Sequence, residues 1–144
     1  AERLGGPLRL VLDSTASRID DFLLLHRLSH PEKERFMDAR MEDFFRALLR
    51  GWAEEGRLRL ALLEGRGQAL AAMLQVAEAR VLHLYNSGFD PEHRELAPGV
   101  VLLGMCLQEA ISSGYQEYDL LRGTERYKYD LGGQDRPVWR LDLL

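Results

Sequence analysis

The sequence predicts an α/β domain built on one mixed sheet, and three observations carry that prediction. Residues 57–89 read as three strands joined by short turns, the first showing a period of two through Leu58, Leu60 and Leu62. Two stretches nearer the N-terminus repeat apolar residues every three or four positions. A third such stretch, after residue 97, stands between two strand-like ones. Strands joined by tight turns become antiparallel neighbours, and a strand–helix–strand passage gives a parallel pair.

Taken in order, "PLRLVLD" (7–13) is alternating and reads as a short strand. The next stretch places Ile19, Phe22, Leu23, Leu25 and Leu28 at helical spacing, with Ser14 or Thr15 as the cap and Pro31 as the stop. "DARMEDFFRALLRGWAEEG" (38–56) is a second amphipathic helix whose inward side is Met41, Phe44, Phe45, Leu48, Leu49 and Trp52, closed by Gly56. "RLRLALLEGRG" puts Leu58, Leu60 and Leu62 on one strand face and a turn at Glu64–Gly67. "QALAAMLQVAEA" and "RVLHLYNSGF" continue the meander. A helix runs from Pro98 to about Ser113, "YQEYDLLRG" follows as a strand, "TERYKYDLGG" as a short helix or turn, and "PVWRLDLL" as a closing strand.

At 144 residues the chain holds one domain with a sizeable core. A net charge of −4 leaves no basic field for DNA. The one cysteine, Cys106, lies in the apolar helix and reads as a buried inert thiol. It fits a reducing compartment, and a cytoplasmic location is the expectation. No apolar run is long enough to span a bilayer. Without an initiating Met, the chain is also readable as the C-terminal half of a longer two-domain protein. His26 and His30 stand four apart but lack the rest of a zinc motif, so no metal is expected. Neither a Walker loop nor a G-x-G-x-x-G follows a strand, which excludes the common nucleotide-binding signatures.

The chemistry concentrates at the start of the helix at Pro98. Proline suits a first helical position because its missing N–H would have no partner there. Gly99 leaves the backbone approachable. The amides of Gly99, Val100 and Val101 then point outward at the positive end of the helix dipole, where a phosphate binds well. The place is a strand's carboxyl end, where open α/β sheets bind ligands.

Arg94-Glu95-Leu96-Ala97-Pro98-Gly99 fits the pyrophosphate loop [QR]-x-x-G-x-[GA], with alanine at the first glycine. On that stretch the chain resembles the Gcn5-related N-acetyltransferase (GNAT) superfamily. Ser87-Gly88-Phe89-Asp90 with Ala97-Pro98-Gly99, and Tyr127-Lys128-Tyr129-Asp130-Leu131-Gly132, resemble its polysaccharide- and cellulose-biosynthesis branch, related to the Fem-type peptidyltransferases. The resemblance covers the last two thirds of the chain. It implies a mostly antiparallel sheet with a splayed parallel pair, flanked by helices, and an acyltransferase using acetyl-CoA or another acyl-CoA. It implies that pantetheine lies between the strand ending at Asn86, Ser87 and Gly88 and the one at Tyr118–Leu121. The pyrophosphate would then sit on Arg94 and the Ala97, Gly99, Val100 and Val101 main chain.

Acyl transfer to an amine needs a proton acceptor, a polarised thioester and a donor for the leaving thiolate. Tyr127 is the candidate donor to sulfur, Glu125 or Asp119 the proton acceptor, and Lys128 a stabiliser of charge. Arg122 and His83 are the candidates for contact with the acceptor, an amine of a small molecule, sugar or peptide. Two alternatives stand beside this reading: a non-catalytic half serving as a docking or dimer module, and a Fem-like transferase using aminoacyl-tRNA. A homodimer through the last strand is a further expectation.

Overall fold

A computed structural model of the chain describes residues 6–123 and 125–143. The strands are β1 (Arg9–Asp13), β2 (Leu58–Gly65), β3 (Gln68–Glu78), β4 (Val81–Phe89) and β5 (Glu117–Asp119). The helices are α1 (Ile19–Ser29), α2 (Pro31–Phe36), α3 (Ala39–Glu54), α4 (Pro98–Ser112) and α5 (Arg126–Asp130), with a 3-10 turn at Pro91–Leu96. The strands lie in sequence order in one sheet. Neighbours are antiparallel except β4 and β5, which are parallel. This is the mixed sheet the sequence predicts.

Alternation explains the two-sided core. Leu58, Leu60, Leu62, Ala72 and Leu74 face α1 and α3, meeting Phe22, Leu23, Phe45 and Leu49. Ala61, Leu63, Ala71, Met73 and Leu84 face the other way, onto Leu102, Leu103 and Cys106 of α4. Each fully buried leucine contributes about 1.5–3 kcal/mol. Phe44, expected on the inward side of α3, is 48% exposed. It lies one position before Phe45 and so points about 100° away around the helix.

Local chemistry sets the ends. Neither Ser14 nor Thr15 caps α1. Asp13 takes that role from the strand, accepting from the Thr15 and Arg18 amides, both at 2.8 Å. Pro31 ends α1 and also starts α2, where His30 Nδ1 accepts the Glu32 amide. Asp38 caps α3 by accepting the Met41 amide at 2.9 Å. The β2–β3 hairpin turns on Arg66 and Gly67, at φ 53° and 76°, the pairing a type I′ turn requires.

The closing strand is not formed. Residues 137–143 pair with no strand, and Val138, Trp139, Leu141 and Leu143 are 84–96% exposed. The apolar alternation is present there. What is missing is a described strand edge beside it, because β5 is only three residues long.

Two residues packed at α1 tolerate little change. Gly88 of β4 is buried against the helix, and a Cβ there would come within 2.6 Å of His26 Cα. His26 itself is 2% exposed among the rings of Phe22, Phe36 and Phe45, and among the described residues its Nδ1 has no partner. Burial, then the charges of Lys33 and Arg27, lower its pKa from 6.5 to about 4.

Gly88→Ala should destabilise the fold by about 1–3 kcal/mol, read from the urea midpoint, because main chain and not a movable side chain fills the space. For His26 the folded pKa lies below the unfolded one. As pH falls the unfolded chain takes the proton first, so stability is full above pH 6.5 and is lost toward about 4. The expected loss is about 3 kcal/mol. It begins above pH 5, where Asp13 and Glu64 do not yet contribute because both are held below the usual carboxylate range. The Arg9 guanidinium does this for Glu64, and the Arg18 and Thr15 amides outweigh burial for Asp13. His26→Leu should flatten the urea midpoint between pH 6.5 and 5.

Candidate active site

The site begins where two strands part. β4 and β5 pair only through Val81–Glu117, Leu82–Tyr118 and His83–Asp119. β4 then runs on to Phe89. β5 leaves because Asp119 Oδ1 accepts the Leu121 amide at 2.8 Å and Leu121 adopts φ 56°, which turns the chain out of the extended region. β4 bends as well. Leu74 lies opposite Asn86 and Gln75 opposite Leu84, so Tyr85 is an extra, bulged residue at the fork.

The open edge of β4 can be read from its hydrogen-bond alternation. The Asp90 amide donates to the Leu70 carbonyl, so Gly88 and Asn86 also face β3, and Ser87 faces outward. Both outward groups of Ser87 have side-chain partners. Its amide donates to Asn86 Oδ1 at 2.8 Å, and its carbonyl accepts from Lys33 Nζ at 2.8 Å. Two side chains thus stand in for a missing strand. Of the three residues expected to line this edge, Ser87 presents main-chain groups to it and Asn86 holds one of them. Gly88 owes its small size to α1.

Beyond β4 the 3-10 turn leads into α4. Asp90 caps the turn by accepting the Glu92 amide, and the Arg94 carbonyl accepts the Ala97 amide. Ala97 sits at φ 47°, ψ 54°, the left-handed conformation for which the loop pattern has glycine. Pro98 is buried, so the helix start is anchored. Among the described residues no acceptor is bonded to the Gly99 or Val100 amides. The Val101 amide, expected to be free, donates to the Ala97 carbonyl at 3.0 Å. The outward donors are therefore two. Nothing lies within 4 Å of a Cβ built on Gly99, so the approach is open.

The other candidates divide into two groups. His83 and Asp119 meet at the fork, with Nδ1 3.4 Å from Oδ2 and both side chains partly exposed. Tyr127 is 39% exposed on α5. Lys128, in contrast, is buried. Its Nζ donates to the Arg122 carbonyl at 2.9 Å and pairs with Glu125 Oε2 at 2.9 Å. It staples the β5–α5 connection together, where the sequence suggested a stabiliser of charge in the reaction. The Lys128 hydrogen bond also holds the Glu125 carboxyl below its ordinary value, which makes Glu125 a weaker base than expected. A cavity of about 720 Å³ is walled by β5, Arg122, Lys128, Tyr129 and residues 133–138. Its described lining holds no residue of β4 or α4, and so does not include the α4 amides.

Lys33 and Tyr85 are not among the residues the sequence points to. The bulge leaves no mark in an apolar-polar pattern. Lys33 has a signal: the chain holds seventeen arginines and only two lysines. Cys106 is inert, its thiol pushed up by burial to about 12. Tyr118 donates to Gln75, and burial raises its pKa, so its hydroxyl keeps its proton at neutral pH. Among the described residues no group of His, Cys, Asp or Glu is arranged to hold a metal ion, and no helix is long and apolar enough to cross a membrane.

A parallel pair that splays beside a helix N-terminus is the arrangement that the resemblance to the acetyltransferase superfamily implies. The family model described as "Acetyltransferase (GNAT) domain" matches residues 1–129, and the chain belongs to that family. It is an acyl-CoA-dependent N-acyltransferase. Solved structures share the fold. One is the 6'-N-acetyltransferase AAC(6')-Iy in complex with the bisubstrate analogue CoA-S-monomethyl-acetylneamine, at TM-score 0.67 and 11% identity, covering 96% of this chain and 100% of that one. Another is the aminoglycoside 6'-N-acetyltransferase AAC(6')-Ih from Acinetobacter baumannii, at 0.65 and 17%, covering 96% and 99%. A third is a GCN5-related N-acetyltransferase from Ralstonia eutropha JMP134, at 0.62 and 20%, covering 96% and 97%. No curated protein matches the chain in sequence.

Ala97→Gly should relieve the left-handed alanine. The strain removed, less the added freedom of the unfolded chain, leaves a gain of about 0.5–1 kcal/mol. A rise in melting temperature of about 2–4 °C, by calorimetry, is the expected outcome.

Proposed function

We propose that the chain transfers an acetyl or other acyl group from acyl-CoA to an amine of a small molecule or amino sugar, by direct attack at the fork between β4 and β5. The observation that carries this is the open β4 edge next to two unbonded amides, Gly99 and Val100, at the start of α4. A diphosphate on those amides, with Arg94 exposed nearby, orients the pantetheine arm along the β4 edge. There the arm takes over the bonds that Asn86 and Lys33 make to Ser87. The Ser87–Asp90 and Tyr127–Gly132 motifs support the polysaccharide-biosynthesis branch as the finer placement, and the AAC(6') relatives support an amino-sugar acceptor.

His83 is the proton acceptor in this reading. Asp119 Oδ2 lies 3.4 Å from His83 Nδ1; a hydrogen kept on Nδ1 by that carboxylate leaves Nε2 with its lone pair for the incoming amine. Asp119, a candidate base from the sequence, acts through the imidazole. The amine nitrogen bonds to the thioester carbon as the C–S bond breaks, and Tyr127 protonates the departing sulfur. Holding donor and acceptor together supplies much of the rate.

Calorimetric titration with acetyl-CoA and a thiol-release assay test this. Gly99→Asp puts a carboxylate where the diphosphate sits, in open space, so acetyl-CoA binding should fall at least about tenfold with the melting temperature unchanged. His83→Ala should lower kcat by about 10²–10⁴ with acetyl-CoA binding intact. If acetyl-CoA fails to bind the parent chain, or His83→Ala works at full rate, the proposal is wrong.

A further inference from the structure

We propose that Lys33 is a self-acylation site: its amine accepts the acyl group of an acyl-CoA bound along the open edge of β4. The inference rests on the function proposed above and adds a modification site to it. The geometry is the Lys33 Nζ bond to the Ser87 carbonyl, 2.8 Å long and spanning 54 residues of chain. Ser87 is the residue that presents its main-chain groups to the gap where β5 is absent. An arm lying along that gap passes the amine closely.

Three further observations support it. Lys33 is half-buried, and burial lowers its pKa below the ordinary lysine value, which raises the share of free amine. Among the described residues it has no carboxylate partner, whereas Lys128 Nζ pairs with Glu125 Oε2 at 2.9 Å. The chain also meets almost all its need for surface cations with arginine, whose guanidinium is not acylated under these conditions. Lys33 stands where an arginine could equally donate to the Ser87 carbonyl.

The chemistry balances without a further reactant. Neutral Nζ adds to the thioester carbonyl carbon, the N–C bond forms, and the C–S bond breaks with its electron pair going to sulfur. The proton shed by nitrogen ends on that sulfur. The products are an amide on Lys33 and free CoA thiol.

The test is incubation of the protein with acetyl-CoA, followed by intact mass and fragment mapping. One added acetyl group on Lys33 is expected, forming at a rate independent of protein concentration. It should appear at least about tenfold faster than on the urea-unfolded chain, since only the fold brings the two groups together. Lys128 is the internal control and should stay unmodified. Lys33→Arg should lose the modification. Acetyl-CoA that binds while Lys33 stays unmodified, or reacts no faster than in the unfolded chain, overturns this inference and leaves the proposed function standing. Absence of acetyl-CoA binding overturns both.

Discussion

The site depends on one interrupted ladder. β4 and β5 share three paired positions and then separate, so among the described residues one side of β4 from Leu84 onward has no strand beside it. Unpaired main chain is costly if it is also dry, and the protein meets that constraint locally. Asn86 folds back onto the Ser87 amide and Lys33 reaches across from α2 to the carbonyl. These side-chain bonds can be exchanged for a ligand's at small net cost, which a strand ladder would not allow. The fork is therefore satisfied when empty and available when a ligand arrives.

Rigidity comes from the layers behind it. β2 and β3 are buried on both faces, between α1 and α3 on one side and α4 on the other. Gly88 lets α1 touch β4 directly, and Pro98 anchors the start of α4. Against this frame, two non-glycine residues at the site take left-handed conformations, Ala97 and Leu121. Each costs on the order of 1 kcal/mol and is held there by its surroundings. Ala97 aims the first amides of α4 outward, and Leu121 turns β5 away from β4.

The sheet, its mixed pairing and both amphipathic helices were legible because periodicity reports burial, and here burial follows regular faces. The α4 start was legible from Pro98 and Gly99 alone. What escaped the sequence was set by tertiary context. Val101 is the exception: it is the fourth residue of α4, and its amide makes the ordinary first helical bond, to the Ala97 carbonyl. Lys128 turned inward because the Arg122 carbonyl and Glu125 lie within reach only after the β5–α5 connection has folded. The closing strand failed because an alternating pattern states a preference for pairing and says nothing of whether an edge is at hand. His83 and Asp119 were each legible as candidates, but their meeting at the fork required the β4–β5 register.

The central claim is that the outward amides of Gly99 and Val100, with the Ser87 edge, receive the acyl donor. Residue-resolved amide hydrogen exchange with and without acetyl-CoA reads those groups directly. The account predicts strong added protection at Gly99, Val100 and Ser87, and little change on the far side of the sheet at β1. Protection confined to the cavity beside β5, with Gly99 and Val100 exchanging as before, would contradict it.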